Sequence, residues 1–207
     1  MENFDDKYNV SRETFLKLKL YHQSLIEWQN KFNLVSPSSL NQAWNRHFED
    51  SMQLFSLIPP TSKTLLDMGS GAGFPGMVLA IMANEKTPYL KVSLVDSVTK
   101  KTLYLKHVKE ITQTDAEIIN ARVESLFKRK FDVITARAVT ALNDLLGYAH
   151  PLLNSYGTCI FPKGRSWCEE VEKARKEWNF SLNPLSSTTS EEGKILVITE
   201  LAKKGRK

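Results

Sequence analysis

Hydrophobic positions follow two different rhythms along this chain. Between Ser11 and Phe32 the apolar residues Phe15, Leu18, Tyr21, Leu25, Trp28 and Phe32 recur at steps of three and four, which predicts one face of a helix. Ser39 followed by Gln42 matches a capping box and opens a second helix, lined by Trp44, His47 or Phe48, Ser51, Phe55 and Ile58. "IPP" at Ile58 to Pro60 stops it. From Thr64 the rhythm changes to apolar, β-branched runs: "TLLDMG", "KVSLVDS" (Lys91), "AEIINARV" (Ala116), "FDVITARA" (Phe131), "GTCIF" (Gly157) and "GKILVITEL" (Gly193). Helix-like segments separate them near 75–84, 99–112, 141–150 and 166–179, and "SSTTSEEG" from Ser186 reads as a surface loop. Alternation of this kind forces right-handed crossovers and predicts an α/β fold with a doubly wound, mostly parallel sheet. The expected organisation is a helical N-terminal extension over 1–60 and an α/β domain over 61–207. Ligands on such sheets lie beyond the carboxyl ends of the strands, so chemistry is sought there.

The first strand runs into "TLLDMGSGAGFPGMVLAI", with four glycines in eight residues before an apolar helix. Glycines let the backbone turn tightly and approach a ligand with no Cβ in the way. Gly71, Gly73 and Gly76 spell the dinucleotide fingerprint G-x-G-x-x-G. Asp67, Gly69, Gly71 and Gly73 spell D-x-G-x-G-x-G, a loop suited to S-adenosylmethionine. Asp96 ends the second strand and serves either ligand, since both offer ribose hydroxyls to a carboxylate. Three features favour S-adenosylmethionine. Asp67 sits where the amine of a methionine tail wants an anion and a pyrophosphate does not. Pro75 lacks an N–H where phosphate would want free amides. Glu124, closing the third strand, adds an acid placed for an adenine amino group. Each acid also has a plainer reading as a solvated strand-end carboxylate, and Asp96 as a helix cap.

Composition narrows the partners. The chain has 207 residues, 42% of them hydrophobic, enough for one α/β domain with an appendage and a sizeable core. No apolar run approaches the roughly 20 residues that span a bilayer, and "MENFDDKY" lacks a secretory h-region. Cys159 and Cys168 show no metal spacing, so a reducing cytoplasm and no metal are expected. The net charge of +5 gathers at Lys128–Lys130, at Lys163 with Arg165, and in the tail from Lys203. That excess fits a polyanionic partner or a solvated surface. Arg137 and Lys163 end the fourth and fifth strands, where a buried structural cation would be unusual.

The segments "NLVS", "RHFEDS", "LLDMGSGAGFPGMVLAI", "VDSVTKK", "ARVESL", "TARAVTALNDLL" and "FPKG" stand in the order and spacing of a known family. Over residues 12–200 the chain resembles the small-subunit (16S) ribosomal RNA guanine-N7 methyltransferases, also called glucose-inhibited division protein B. "GFPG" and "RHFEDS" are specific to that family. The resemblance implies a class I S-adenosylmethionine-dependent methyltransferase, Rossmann-like, bacterial and cytoplasmic, acting on 16S ribosomal RNA or the small subunit. It places cofactor contacts at Gly69, Phe74, Val123, Glu124 and Arg137, with Asp96 as the ribose acid, and leaves Lys163 free to face RNA. Ser70 and Ala72 replace the threonine and proline common in relatives. A monomer is expected.

Guanine N7 carries a lone pair and no proton, so methyl transfer to it needs alignment rather than a general base. The D/N-P-P-Y type sequence of amino-group methyltransferases is missing: the fourth strand ends in "TARA". Cys159 precedes "IF" within a strand and reads as core, not as a nucleophile. Arg46 and His47 share a predicted helical face with Asp50. They form either an ion-paired dock for that helix or an RNA contact beside the cofactor mouth. A nicotinamide oxidoreductase and a non-catalytic RNA-binding module are the competing functions.

Overall fold

A computed structural model describes residues 10–205. The acidic start "MENFDDKY" and the last two residues of the basic tail lie outside the described residues. The seven strands are β1 (Thr64–Met68), β2 (Lys91–Asp96), β3 (Ala116–Asn120), β4 (Phe131–Thr135), β5 (Leu153–Lys163), β6 (Trp178–Ser186) and β7 (Lys194–Lys203). They form one sheet in the order β3-β2-β1-β4-β5-β7-β6, and β7 runs opposite to the other six strands. The mostly parallel, doubly wound expectation holds. The order reverses between β1 and β4, so their carboxyl ends open a crevice.

Two layers of apolar side chains cover the sheet. Alternate residues part to opposite faces, Leu65 and Val133 into one core and Leu66 and Ile134 into the other. The first core is closed by α1 (Arg12–Gln29), α4 (Gly76–Lys86) and α5 (Thr99–Ile111). The second is closed by α6 (Leu142–Ala149) and α7 (Trp167–Ala174). Leu18, Tyr21 and Leu25 of α1 are fully buried against Met77 and Leu105, so the N-terminal helix shares the core of the α/β unit. Each such side chain contributes about 1.5–3 kcal/mol of burial. Residues Gly76 to Ala83 of α4 are buried on every side because sheet and N-terminal helices sandwich them.

Three expectations need correction. The second helix is not one helix opened at Ser39. It breaks into α2 (Pro37–Leu40), a π-helical stretch (Trp44–Glu49) and α3 (Asp50–Met52). Pro37 starts α2, and the Ser39 hydroxyl turns back to the Ser36 carbonyl at 2.8 Å instead of capping forward. The helix expected to run to 179 ends at Ala174, and an unforeseen edge strand, β6, follows. Pro184 and several polar residues hide its alternation, and an edge tolerates both. Glu124 does not close β3. It rides a 3-10 turn, Val123–Leu126, beyond the strand end at Asn120.

The glycine turn is held from behind by the N-terminal helix. Tyr21 donates from Oη to the Ala72 carbonyl at 2.5 Å and stacks on Phe74 with ring centroids 5.2 Å apart. Gly69, Gly71 and Gly73 have φ of +63°, +58° and +100°. A Cβ on Gly73 would strike the Tyr21 hydroxyl and lie 2.9 Å from Leu105, whereas one on Gly71 meets nothing closer than 3.8 Å. Gly71→Ala should therefore cost only the left-handed strain, about 1–2 kcal/mol, and Gly73→Ala clearly more. Urea unfolding of both variants checks this, and equal losses would mean that Tyr21 does not brace the turn.

Candidate active site

Three cavities open at the carboxyl edge of the sheet. The first, about 640 Å³, lies between the glycine turn and the π-helical stretch, with Gly69, Gly71, Phe74, Arg46, His47 and Arg137 in its wall. The second, about 390 Å³, is lined by Gly69, Asp96, Val123, Glu124, Leu145 and Tyr148. The third, about 460 Å³, lies over the ends of β4 and β5, between Arg137, Thr140, Lys163 and Glu170. Ala138 lines all three. Its φ of +54° is rare for a residue with a Cβ, and strain of this kind gathers at functional sites. Nothing in "TARAVT" announces it, because alanine carries no left-handed preference.

Asp96 ties the glycine turn to β2. Its Oδ2 accepts from the Gly71 N–H and its Oδ1 from the Val98 N–H, both at 2.8 Å. Each oxygen retains a second lone pair, and the carboxylate borders the second cavity. Asp96 thus supports the start of α5, whose N-cap is Val98, while still bordering open space. Val123 and Glu124 face it across the same space.

Asp67 is not where the sequence places it. It is fully buried, lines none of the three cavities, and accepts from Gly76 N–H at 3.1 Å and Thr135 Oγ1 at 2.9 Å. A Cβ on Gly76 would collide with it, so the fourth glycine exists to let the helix start sit on this carboxylate. Burial pushes its pKa up to about 6 against the opposing hydrogen bonds. Asp67 anchors the turn from beneath. Gly73 likewise lines none of the three cavities and serves the fold.

Arg137 is the hub of the first cavity. Nη1 donates to the Arg46 carbonyl at 2.7 Å and to Asp50 Oδ2 at 3.1 Å, and Nη2 donates to His47 Nδ1 at 2.8 Å. Its guanidinium lies 5.3 Å from the Phe74 ring centroid. A guanidinium only donates, so Nδ1 of His47 must accept and the ring proton sits on Nε2. Nε2 then donates to Ser39 Oγ at 3.0 Å. Burial, then the charges of Arg137 and Arg46, lower the His47 pKa to about 4. Of the two readings of this helical face, an ion-paired dock does form, but through Asp50 and Arg137 and not through Arg46 or His47. Arg46 points an exposed side chain into the first cavity wall.

Lys163 also departs from expectation. It is not a cation free to meet a phosphate: Nζ donates to Glu170 Oε2 at 2.7 Å and to the Thr140 carbonyl at 2.8 Å. Of the other basic clusters, Arg129 pairs with Glu117 at 2.6 Å and Arg165 with Glu192 at 2.7 Å. Cys159 is buried, as expected of core, and no His, Cys, Asp and Glu group among the described residues could hold a metal. No helix among them is long and apolar enough to cross a membrane.

Residues 15–198 match the family model for GidB, rRNA small subunit methyltransferase G. The chain belongs to this family. It is 42% identical to the ribosomal RNA small subunit methyltransferase G of Paramagnetospirillum magneticum, covering 95% of this chain and 94% of that protein. The corresponding protein of Ruegeria pomeroyi is 39% identical over 92% and 93% of the two chains. Among solved structures, an O-methyltransferase from Bacillus cereus in complex with SAH superposes with a TM-score of 0.59 at 12% identity, covering 86% and 90% of the chains. A Thermus thermophilus 16S rRNA N2 G1207 methyltransferase gives 0.56 at 18% identity, over 80% of this chain and 43% of that one. These structures show the class I methyltransferase fold. Family membership decides between the two readings of the glycine loop: the protein is an S-adenosylmethionine-dependent methyltransferase, not a nicotinamide oxidoreductase.

The two shifted groups of the site give stability a pH signature. Folded His47 stays neutral down to about pH 4, while in the unfolded chain it takes up a proton near the ordinary histidine value of 6.5. The unfolded state then binds more protons, so this contribution is present above about pH 6.5 and is lost as pH falls toward 4, amounting to about 3 kcal/mol at most. Asp67 acts with the opposite sign: raised from 3.8 to about 6, it binds its proton more readily when folded, so stability falls as pH rises across that window. The two should nearly cancel in the wild type. His47→Gln should expose the Asp67 slope, with urea midpoints falling from pH 4 to 6. Midpoints that run parallel to wild type would separate His47 from the effect.

Proposed function

We propose that this protein transfers a methyl group from S-adenosylmethionine to N7 of a guanine in 16S ribosomal RNA, as free RNA or in the small subunit, without a general base. The observation that carries it is the pair of joined cavities beside a glycine turn with two acids at one end and a guanidinium at the other. They share Gly69, Lys101 and Ala138. That shape and charge fit a long cationic ligand carrying a ribose diol. When bound, S-adenosylmethionine supplies an electrophilic methyl on a sulfonium.

The chain's own residues divide the remaining work. Asp96 accepts the ribose hydroxyls through its spare lone pairs, and Glu124 with Val123 receives the adenine. The backbone of Gly69 and Gly71 and the Arg137 guanidinium hold the amino-acid end, with Phe74 excluding water beneath. Arg46, exposed at the mouth, positions RNA through its phosphates. His47 supports the N7 reading, because both ring nitrogens are engaged and a pKa of about 4 makes it a weak proton acceptor. An acceptor with no proton to lose asks for nothing more than proximity and alignment.

Asp96→Ala should weaken S-adenosylmethionine binding by roughly 10- to 100-fold, the worth of a charge-assisted hydrogen bond, as read by calorimetry. Single-turnover methylation of ribosomal RNA, with the product identified by nucleoside mass spectrometry, should give 7-methylguanosine at a rate flat between pH 6 and 8. A group titrating near neutrality that disappears in His47→Gln would instead mean base catalysis and an exocyclic amine as acceptor.

A further inference from the structure

The first two cavities are accounted for by the proposed cofactor, and the third is left over. It shares Asp50, Arg137, Ala138 and Ser190 with the first and Ala138 and Val139 with the second, so Ala138 marks the junction where a group passed from cofactor to acceptor would cross. At about 460 Å³ it has room for a purine nucleoside turned out of an RNA strand. Its most distinctive feature is a cation held with unusual rigidity. The side chain of Lys163 is only 10% exposed, and two of its three ammonium donors are spent on Glu170 Oε2 at 2.7 Å and the Thr140 carbonyl at 2.8 Å. Glu170 is itself fixed, accepting from the Leu142 N–H at 2.7 Å at the start of α6.

We infer that this third cavity is the acceptor subsite, and that Lys163 is its specificity residue, reading a 6-oxo purine through its one remaining donor. The inference rests on the proposed methyl transfer to N7. Position 6 is the substituent next to N7, so a group presenting N7 to the junction brings position 6 with it. Guanine carries an acceptor there and adenine an amino donor. A fixed ammonium completes a hydrogen bond with the first and opposes the second, which is how a site built around a polar contact rejects an analogue lacking it.

The ion pair also answers an electrostatic difficulty. Methyl transfer carries the positive charge of the sulfonium into the purine ring, and a lone ammonium beside it would oppose that step. With Glu170 at 2.7 Å the pair is close to neutral as seen from the ring. Lys163 therefore serves as a directed donor, where a freely moving cation would bind phosphate.

The test uses the wild-type protein first. Once the methylated nucleotide is mapped, RNA carrying 2,6-diaminopurine in its place exchanges O6 for an amino group, with loss of the N1 proton, and leaves N7 and the 2-amino group present. Single-turnover methylation of that RNA should fall at least 100-fold, whereas inosine, which keeps O6 and lacks the 2-amino group, should be methylated within about 10-fold of guanosine. Lys163→Met should lower the rate on guanosine RNA by roughly 10- to 100-fold, leave calorimetric binding of S-adenosylmethionine unchanged, and erase the preference over 2,6-diaminopurine. Equal rates of wild type on guanosine and 2,6-diaminopurine would overturn the inference while leaving the proposed function intact. So would a Lys163→Met variant that keeps its discrimination. Wild type that methylates guanosine at another atom would overturn the proposed function itself, and the inference with it.

Discussion

The guanidinium of Arg137 holds the site together. It leaves the end of β4 and donates to a backbone carbonyl, a carboxylate and an imidazole, all on the chain between Arg46 and Asp50. That chain is π-helical at this point, and π turns widen a helix enough to turn carbonyls and side chains toward a partner. Through Arg137 the N-terminal helices become one wall of the first cavity, whose other wall is the glycine turn of the sheet. A lysine could neither make this planar set of contacts nor lie flat beside Phe74. Asp50 extends the network further, accepting from Thr189 Oγ1 at 2.6 Å, so the loop between β6 and β7 is tied to the same point.

From this knot follows the protonation state of His47. An imidazole between a guanidinium and a serine hydroxyl has one consistent tautomer, and a second proton would meet Arg137 head on. A histidine lining such a cavity invites assignment as a base, yet its Nδ1 lone pair already accepts from Arg137. Its ring instead stacks on Phe74 with centroids 4.9 Å apart, and Phe74 stacks on Tyr21 behind it. The cavity floor, His47 and Phe74, is thus backed by Tyr21 in a run of flat rings held at its two ends: Tyr21 to Ala72 and His47 to Ser39.

The sheet and its crossovers were legible because buried parallel strands write themselves as unbroken apolar runs between helical patterns. Edge strand β6 was not, since half of its residues face solvent and a proline interrupts it. The glycine turn was legible as a motif, but the division of labour among its acids was not. "LLDMG" and "LVDS" look alike in sequence, and only packing shows that one carboxylate points down into the fold and the other borders the cavity. Lys163 misleads for the same reason. A cation at a strand end reads as exposed until the glutamate seven residues later, one helical start away, is seen to reach it. Ala138 left no trace, because its conformation is imposed by what surrounds it.

These misreadings have a common physical origin. Strand ends in an open α/β sheet are where ligands bind, and they are also where the first helical turn brings unpaired N–H groups that carboxylates satisfy. Asp67 at Gly76, Asp96 at Val98 and Glu170 at Leu142 each accept from a backbone N–H at or beside a helix start. An acidic residue near this edge, ending a strand like Asp67 and Asp96 or carried on a helix like Glu170, therefore answers two demands, and sequence position alone cannot divide them. What divides them is whether lone pairs remain after the backbone is satisfied and whether they border open space. Asp96 passes both tests, and Asp67 fails the second. Glu170 passes them only through the lysine it holds, which makes it a support for the donor beside it.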